Sequence, residues 1–406
     1  MRPSLFIVCT CFSILFKTGE ILAQDLKSLQ ALLKDGGLYA ETLSGKPLVN
    51  IRGERAFTPA STIKLATAFC SLEALSTEHR FKTFFFSNKD SLYIKSLGDP
   101  SLVSSEIRRI VESIAPVMKT ISSVVIDNSA FALDELPDGT NNTLNPYDAK
   151  NGAFIVNFGS ALISRKSKNG ILSGESETPL TALSRRAGLR IPIGRTDRIN
   201  IASTPKLGSR YGAEILIAML RQRGVEGAMN ISFGLTPKSA HLIHTHLSSE
   251  TLESIAKGML KYSTNFTANQ LMLTLGGEIS GYPATLKKGQ HALSRCLKKI
   301  GWSEFHVEEG SGLSRRTSVT PVQLVSLLHR FVKYKHLLPE KMGFLAKTGS
   351  LRGVNALAGY FQLHEPKEQT VAFAILINRQ VPHLYKYTVA KKLRTFLQNN
   401  ASVTSR

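Results

Sequence analysis

Three short patterns in this chain combine residue types that can break an amide bond. Ser61-Thr62-Ile63-Lys64 sets a hydroxyl three residues before an amine; Ser263-Thr264-Asn265 offers a second hydroxyl beside a carboxamide; Lys347-Thr348-Gly349 joins an amine, a hydroxyl and a glycine. Amide hydrolysis needs a nucleophile, a base for its proton, an acid for the leaving amine and donors for the oxyanion. Residues three apart on a helix share a face, so Lys64 would reach the Ser61 hydroxyl. A free lysine has a pKa of about 10.4, so a lysine base near neutral pH requires burial or a neighbouring cation to lower it. Lys347 is the candidate second cation. Taken alone, Ser61 and Lys64 fit an ordinary helix edge, from which the lysine extends to water, better than a catalytic pair.

Each pattern recurs elsewhere: Ser203–Lys206 and Ser254–Lys257, Ser167–Asn169, and Lys17–Gly19. Context separates the chosen three. Ser61 opens an apolar helical run over 61–75, with Thr58, Pro59 and Ser61 available to start it, whereas Pro205 breaks the Ser203 copy. Ser263 follows the helical SSETLESIAKGML, at a break before a second helix over 266–277. Lys347 lies in FLAKTGSLRGVNALAGYFQL, a strand pattern adjacent to TVAFAILIN, where Gly349 allows close approach. Upstream, 28–61 reads as a helix and a hairpin, LYAETL and PLVNI joined at SGK. Between 80 and 240, short β-like runs (FKTFFF, SLYIKSL, SSVVID, ILIAML) alternate with polar, Gly- and Pro-rich breaks. A helix spans 284–300, and HLYKYTVAKKLRTFL (383–397) closes the chain as an amphipathic helix.

The 406 residues are 42% hydrophobic and carry a net charge of +21, which describes a globular protein suited to an anionic partner or surrounding. No basic-aromatic motif, zinc-finger spacing or basic arm points to nucleic acid. Met1–Arg2 followed by the apolar run 4–16 and Ala23 predicts a signal peptide over 1–23, and hence export to the periplasm or cell envelope. No later segment is apolar enough to span a membrane as a helix. Of four cysteines, Cys9 and Cys11 leave with the signal; Cys70 and Cys296 are either a disulfide or two buried thiols.

The three patterns in this order, with PASTIKLATA, GDPSL (98–102), IDNSAF (126–131), HTHLSSETLESIAKGMLKYSTNFTANQLM (244–272) and GSGLSRRTSVTPVQL (310–324), resemble the low-molecular-mass class C penicillin-binding proteins. These are the D-alanyl-D-alanine carboxypeptidase/endopeptidases of peptidase family S13. The resemblance runs from about residue 37 to the C-terminal helix, and departs at Ala268-Asn269 and at Glu309, where the family tends to place acids and aspartate. It implies an α+β fold: a β-lactamase/penicillin-binding transpeptidase-like core, with an antiparallel sheet flanked by helices, from 24–79 and 245–406. Residues 80–244 are then an inserted β-rich region of one or two lobes. It also implies roles. Ser61 forms the acyl-enzyme and Ser263 relays the proton to the leaving amine. Asn265 bonds the substrate amide, and Lys347 and Thr348 hold the terminal carboxylate of a D-Ala-D-Ala-like peptide. The strand Gly349–Ser350 pairs with the substrate backbone, with the N–H groups of Ser61 and Ser350 as oxyanion hole. Asp127 and Arg315 are candidates for contact with the peptide stem, or simply paired or exposed charges.

The partners implied are peptidoglycan peptides and β-lactams, with no cofactor and no metal. HLIHTH (241–246) invites a metal reading, since His244 and His246 would share a strand face, but no cysteine or acid stands at ligand spacing. The basic C-terminal helix packs its stripe Tyr385, Val389, Leu393 and Leu397 on the sheet or lies on a membrane, so peripheral contact stays open, as does oligomeric state. Two rival functions use the same residues: a catalytically silent wall-binding protein, and a β-lactamase or esterase.

Overall fold

The computed structural model describes residues 24–134, 136–141, 143–363 and 369–403. The segment read as a signal peptide lies outside them. The described residues form ten α-helices and fourteen strands, numbered here in chain order, and the chain divides into two compact units. One comprises the chain up to Leu65, Ile300–His306 and the chain from Arg315; the other comprises Ala66–Lys299 and Val307–Ser314.

The first unit is built on a six-stranded sheet of β1 (Gly36–Thr42), β2 (Pro47–Ile51), β11 (Glu340–Lys341), β12 (Phe344–Leu351), β13 (Val354–Leu363) and β14 (Gln369–Ile377), in the order β11-β12-β13-β14-β1-β2. Every pair is antiparallel. The near-continuous apolar runs of β13 and β14 follow from cover on both faces. Leu357, Phe361, Phe373 and Ile375 join one cluster with Leu29 and Leu33, at the end of α1 (24–32), and with Val389, Leu393 and Leu397 of α10 (Tyr385–Val403). Alternation sends Tyr360 the other way, where its hydroxyl donates to Leu328 O of α9 (Pro321–Phe331) at 2.5 Å. Thr320 and Gln323 cap the start of α9 reciprocally, with Pro321 at its first position. The C-terminal stripe is thus buried on the sheet. No described helix is long and apolar enough to cross a membrane.

The second unit holds two sheets. Strands β3 (Lys82–Asn88), β4 (Ser91–Ser96), β5 (Ser123–Asp127), β9 (Asn230–Phe233) and β10 (His241–Leu247) form a mixed sheet in the order β10-β3-β4-β5-β9, with β4-β5 and β5-β9 parallel. Strands β6 (Ser160–Arg165), β7 (Ile171–Ser173) and β8 (Thr196–Asn200) form a small antiparallel sheet. Its helices are α3 (Ser104–Ile114), α4 (Ala182–Gly188), α5 (Pro205–Gln222), α6 (Leu252–Tyr262), α7 (Asn265–Ser280) and α8 (Leu286–Lys299); α2 (Lys64–Leu75) crosses the boundary between units after Leu65. One β-like run is corrected: ILIAML (215–220) is helical, inside α5. The Thr204 side chain accepts from Leu207 N–H and Pro205 takes the first position, so the helix starts well upstream of the run. Buried Tyr211, Ile215 and Leu216, Met219 and Leu220 recur at helical spacing, but six apolar residues in succession conceal that period.

Candidate active site

Ser61 sits in a 3-10 turn, Ala60–Ile63, that leads directly into α2. No side chain caps this turn, contrary to the expectation from Thr58 and Ser61; Thr58 is instead held by Asn378, whose side chain accepts from Thr58 N–H at 2.8 Å and donates to its carbonyl at 3.0 Å. Ala60 is buried at φ 47°, a left-handed conformation that costs an alanine on the order of 1 kcal/mol and is kept only where its surroundings impose it. Part of that imposition is β12. A Cβ on Gly349 would meet Pro59 O at 2.6 Å and Ser61 N at 3.1 Å, so the strand lies directly on the serine's turn and only glycine fits.

Lys64 is fully buried, and its Nζ donates to Ser61 Oγ at 2.9 Å. This is the reach expected of a nucleophile and its base. Lys347, also buried, donates to Thr348 O at 2.9 Å; burial, aided by the charge of Lys386, lowers its amine to about 7. Lys386, near the start of α10, is a residue the sequence did not single out. It is fully buried, and burial, with Lys341 adding to it, lowers it to about 8. Its Nζ donates to Gly349 O at 3.0 Å and to Ser350 Oγ at 2.5 Å. Nothing in the pattern of the C-terminal helix sets it apart from exposed Lys391; only the apolar residues around it, Tyr385 and Tyr387, hint at burial. Thr348 is half-buried and Ser350 exposed. Strand β11 pairs β12 only at Phe344 and Leu345, which leaves the outer edge of Thr348–Leu351 without a strand partner among the described residues. Arg315 donates to Arg352 O at 2.5 Å, in the turn that follows β12.

In the second unit, Ser263 ends α6 in a left-handed conformation, φ 58°, and Asn265 begins α7, so the predicted break falls at this motif. Helix α7 is pinned from several sides: Asn151 donates to Phe266 O at 2.9 Å and Gln270 donates to Gly98 O of GDPSL at 3.1 Å. The departure at Ala268-Asn269 has a local use, because Asn269 Oδ1 accepts the N–H of Gly310 at 2.8 Å and a Cβ on Gly310 would press on Ala268 O. Glu309, the other departure, is buried and accepts from Ser311 N–H (2.8 Å), Ser311 Oγ (2.6 Å) and Ser314 N–H (3.2 Å), which closes the GSGLS turn. Cys70 of α2 and Cys296 of α8 form a disulfide, deciding between the two states left open by the sequence.

Asp127 is buried at the end of β5, with the N–H of Ser129 on one oxygen (3.0 Å) and that of Thr236 on the other (2.8 Å). Burial raises its carboxyl, but the bonds from Ser129 and Thr236 outweigh burial and hold it below the usual range. His244 and His246 share a face of β10, their ring centroids 6.3 Å apart, and His246 Nε2 lies 2.9 Å from Glu106. Burial lowers both imidazoles. Among the described residues no three His, Cys, Asp or Glu side chains gather to hold a metal.

The sequence matches the D-Ala-D-Ala carboxypeptidase 3 (S13) family over residues 21–183, 195–340 and 330–399. It is 24% identical over 436 residues to the D-alanyl-D-alanine carboxypeptidase DacB of Haemophilus influenzae, covering 90% of each chain. The fold is similar to the crystal structure of penicillin-binding protein 4 from the same organism, with a TM-score of 0.74, 22% identity, and 93% and 98% of the two chains covered. It is also similar to a predatory endopeptidase of Bdellovibrio bacteriovorus solved with an immunity protein, with a TM-score of 0.55, 15% identity, and 91% and 93% covered.

Proposed function

The chain belongs to the D-Ala-D-Ala carboxypeptidase 3 (S13) family, and from that premise we propose that it hydrolyses the D-Ala-D-Ala bond of peptidoglycan stem peptides through an acyl-enzyme on Ser61. The observation that carries this reading is the fully buried Lys64 amine 2.9 Å from Ser61 Oγ. Lys64 takes the hydroxyl proton as Ser61 Oγ bonds to the scissile carbonyl carbon, and the N–H groups of Ser61 and Ser350 receive the oxyanion. Ser263 passes a proton to the departing amine of the terminal D-alanine, and water then cleaves the ester. Asn265 bonds the substrate amide, while Lys347 and Thr348 hold the terminal carboxylate. The uncovered edge of β12 accepts the peptide as an added strand along Gly349 and Ser350. Arg315 meets the peptide stem; Asp127 acts through the Ser129 and Thr236 segments it ties together. Cross-linked stems fit the same chemistry, so the reading includes DD-endopeptidase action, and β-lactams acylate Ser61.

The 80–244 segment serves in this reading as an inserted region that shapes the substrate groove. The signal-like residues 1–23 and the Cys70–Cys296 disulfide support export to the periplasm or cell envelope, where disulfides persist and a chain of charge +21 meets an anionic wall. The test is a fluorescent penicillin applied to the purified protein beside Ser61→Ala. A covalent band that the substitution removes identifies the nucleophile. A folded protein that neither labels nor turns over the β-lactam overturns the peptidase reading and favours a wall-binding protein.

A further inference from the structure

Lys386 is a buried amine with no acid paired to it among the described residues. Its two hydrogen-bond partners, Gly349 O and Ser350 Oγ, are neutral, and the charges that act on it and that it acts on belong to other lysines, Lys341 and Lys347. Burying such a group costs free energy that a methionine of similar length would not incur. What distinguishes the amine is the atom it holds. The carbonyl of Gly349 and the N–H of Ser350 belong to one peptide unit, planar and trans, so a donor that fixes the carbonyl also fixes the N–H pointing the opposite way. A charge-assisted bond to the carbonyl further polarises the amide and makes its N–H a stronger donor. The second bond, to Ser350 Oγ, restrains the same residue, and Lys386 is itself anchored: its N–H donates to Asn355 Oδ1 of β13 at 2.9 Å.

We propose that Lys386 is a positioning residue that orients and polarises the Gly349–Ser350 peptide, so that the Ser350 N–H is set to receive the oxyanion. The inference rests on the functional reading given above. It makes α10, whose apolar stripe only packs on the sheet, a support for the chemistry on β12.

The test compares the full-length protein with Lys386→Met and, as a control on the same helix, exposed Lys391→Met. Acylation by a β-lactam gives the rate, and the infrared carbonyl band of the resulting ester reports how strongly the oxyanion donors pull on it. Lys386→Met is expected to slow acylation roughly 10- to 100-fold, short of the loss of a whole oxyanion donor. It also moves the ester band to higher frequency and lowers kcat on a D-Ala-D-Ala peptide with little change in KM; Lys391→Met changes none of these. Should Lys386→Met not fold, Lys386→Gln, which keeps a shorter donor, carries the same expectations at smaller amplitude. A folded variant with the wild-type rate and band overturns the inference and leaves the functional reading standing. A folded wild type that forms no acyl-enzyme overturns both.

Discussion

The two units bury mostly opposite charges and use them differently; the one buried lysine described in the second unit, Lys150, lies near Asp148 and donates to Thr140 Oγ1 at 2.5 Å. The first buries Lys64, Lys347 and Lys386, whose amines donate to hydroxyls or to carbonyls of the Ser61 turn and β12. The second buries Asp99, Glu106, Asp127, Asp148 and Glu309, and each accepts the N–H of a nearby loop: Ser101, Ser249, Ser129 with Thr236, Asn141, and Ser311 with Ser314. A carboxylate offers several lone pairs and can satisfy backbone donors that a loop would otherwise leave unpaired, so it closes turns. An amine in the same surroundings is pushed toward neutrality and becomes a base or an electrostatic device. The difference teaches that buried charge alone does not mark a site; its surroundings do, since Lys150 has an acid near it and Lys386 has other lysines.

The sharpest way to break this contrast is to remove one group of each kind. Lys64→Met is expected to slow acylation by about 10²–10⁴-fold while leaving the urea unfolding midpoint nearly unchanged. A folded Lys64→Met protein that labels at the normal rate would sink the base assignment. Glu309→Gln should do the reverse in kind, lowering unfolding free energy by about 2–3 kcal/mol because donors of the GSGLS turn lose an acceptor; an unchanged midpoint would show that the turn does not need it.

Asp99 sharpens the comparison because it is only half satisfied. Ser101 donates twice to Oδ1, Oδ2 accepts nothing, and burial raises the carboxyl to about 6. The folded pKa thus exceeds the unfolded value of about 3.9, so this group's contribution is complete below about pH 3.9 and is lost as pH rises through about 6. Between pH 4 and pH 7, Asp99→Asn should gain about 2–3 kcal/mol relative to wild type. Parallel stability profiles for the two proteins would contradict the assignment. The smallest effect is expected from Lys95→Ala. Lys95 is 39% exposed and 4.0 Å from Asp127, whose oxygens are already held by backbone N–H groups, so the loss should stay below about 1 kcal/mol in thermal unfolding. A larger loss would mean that the lysine, and not the backbone, balances Asp127.

The legible part of this molecule was what local spacing dictates. The contact of Ser61 with Lys64 follows from a separation of three on a helical turn, and the break at Ser263 follows from two helical patterns that do not join. Sidedness was harder. Val389, Leu393 and Leu397 announced a packed stripe, but the neighbouring Lys386 reads as one more surface lysine until β12 and β13 are laid beneath it. The strain at Ala60 and the fit of Gly349 against Pro59 also arise only when strands distant in sequence meet. The run ILIAML misled because continuous apolarity records burial without recording period. The state of Cys70 and Cys296 stayed open because nothing local to either cysteine says where α2 and α8 lie.

That disulfide spans a sequence separation of 226 residues, and both sheets of the second unit, together with Ser263 and Asn265, lie on the chain between its ends. A single protease cut anywhere in that interval therefore leaves two fragments joined by one bond. Clipped and intact molecules would purify together and run as one species until a thiol is added. A preparation judged homogeneous without reductant can carry a cut loop, and activity assigned to the whole enzyme can come from a nicked one.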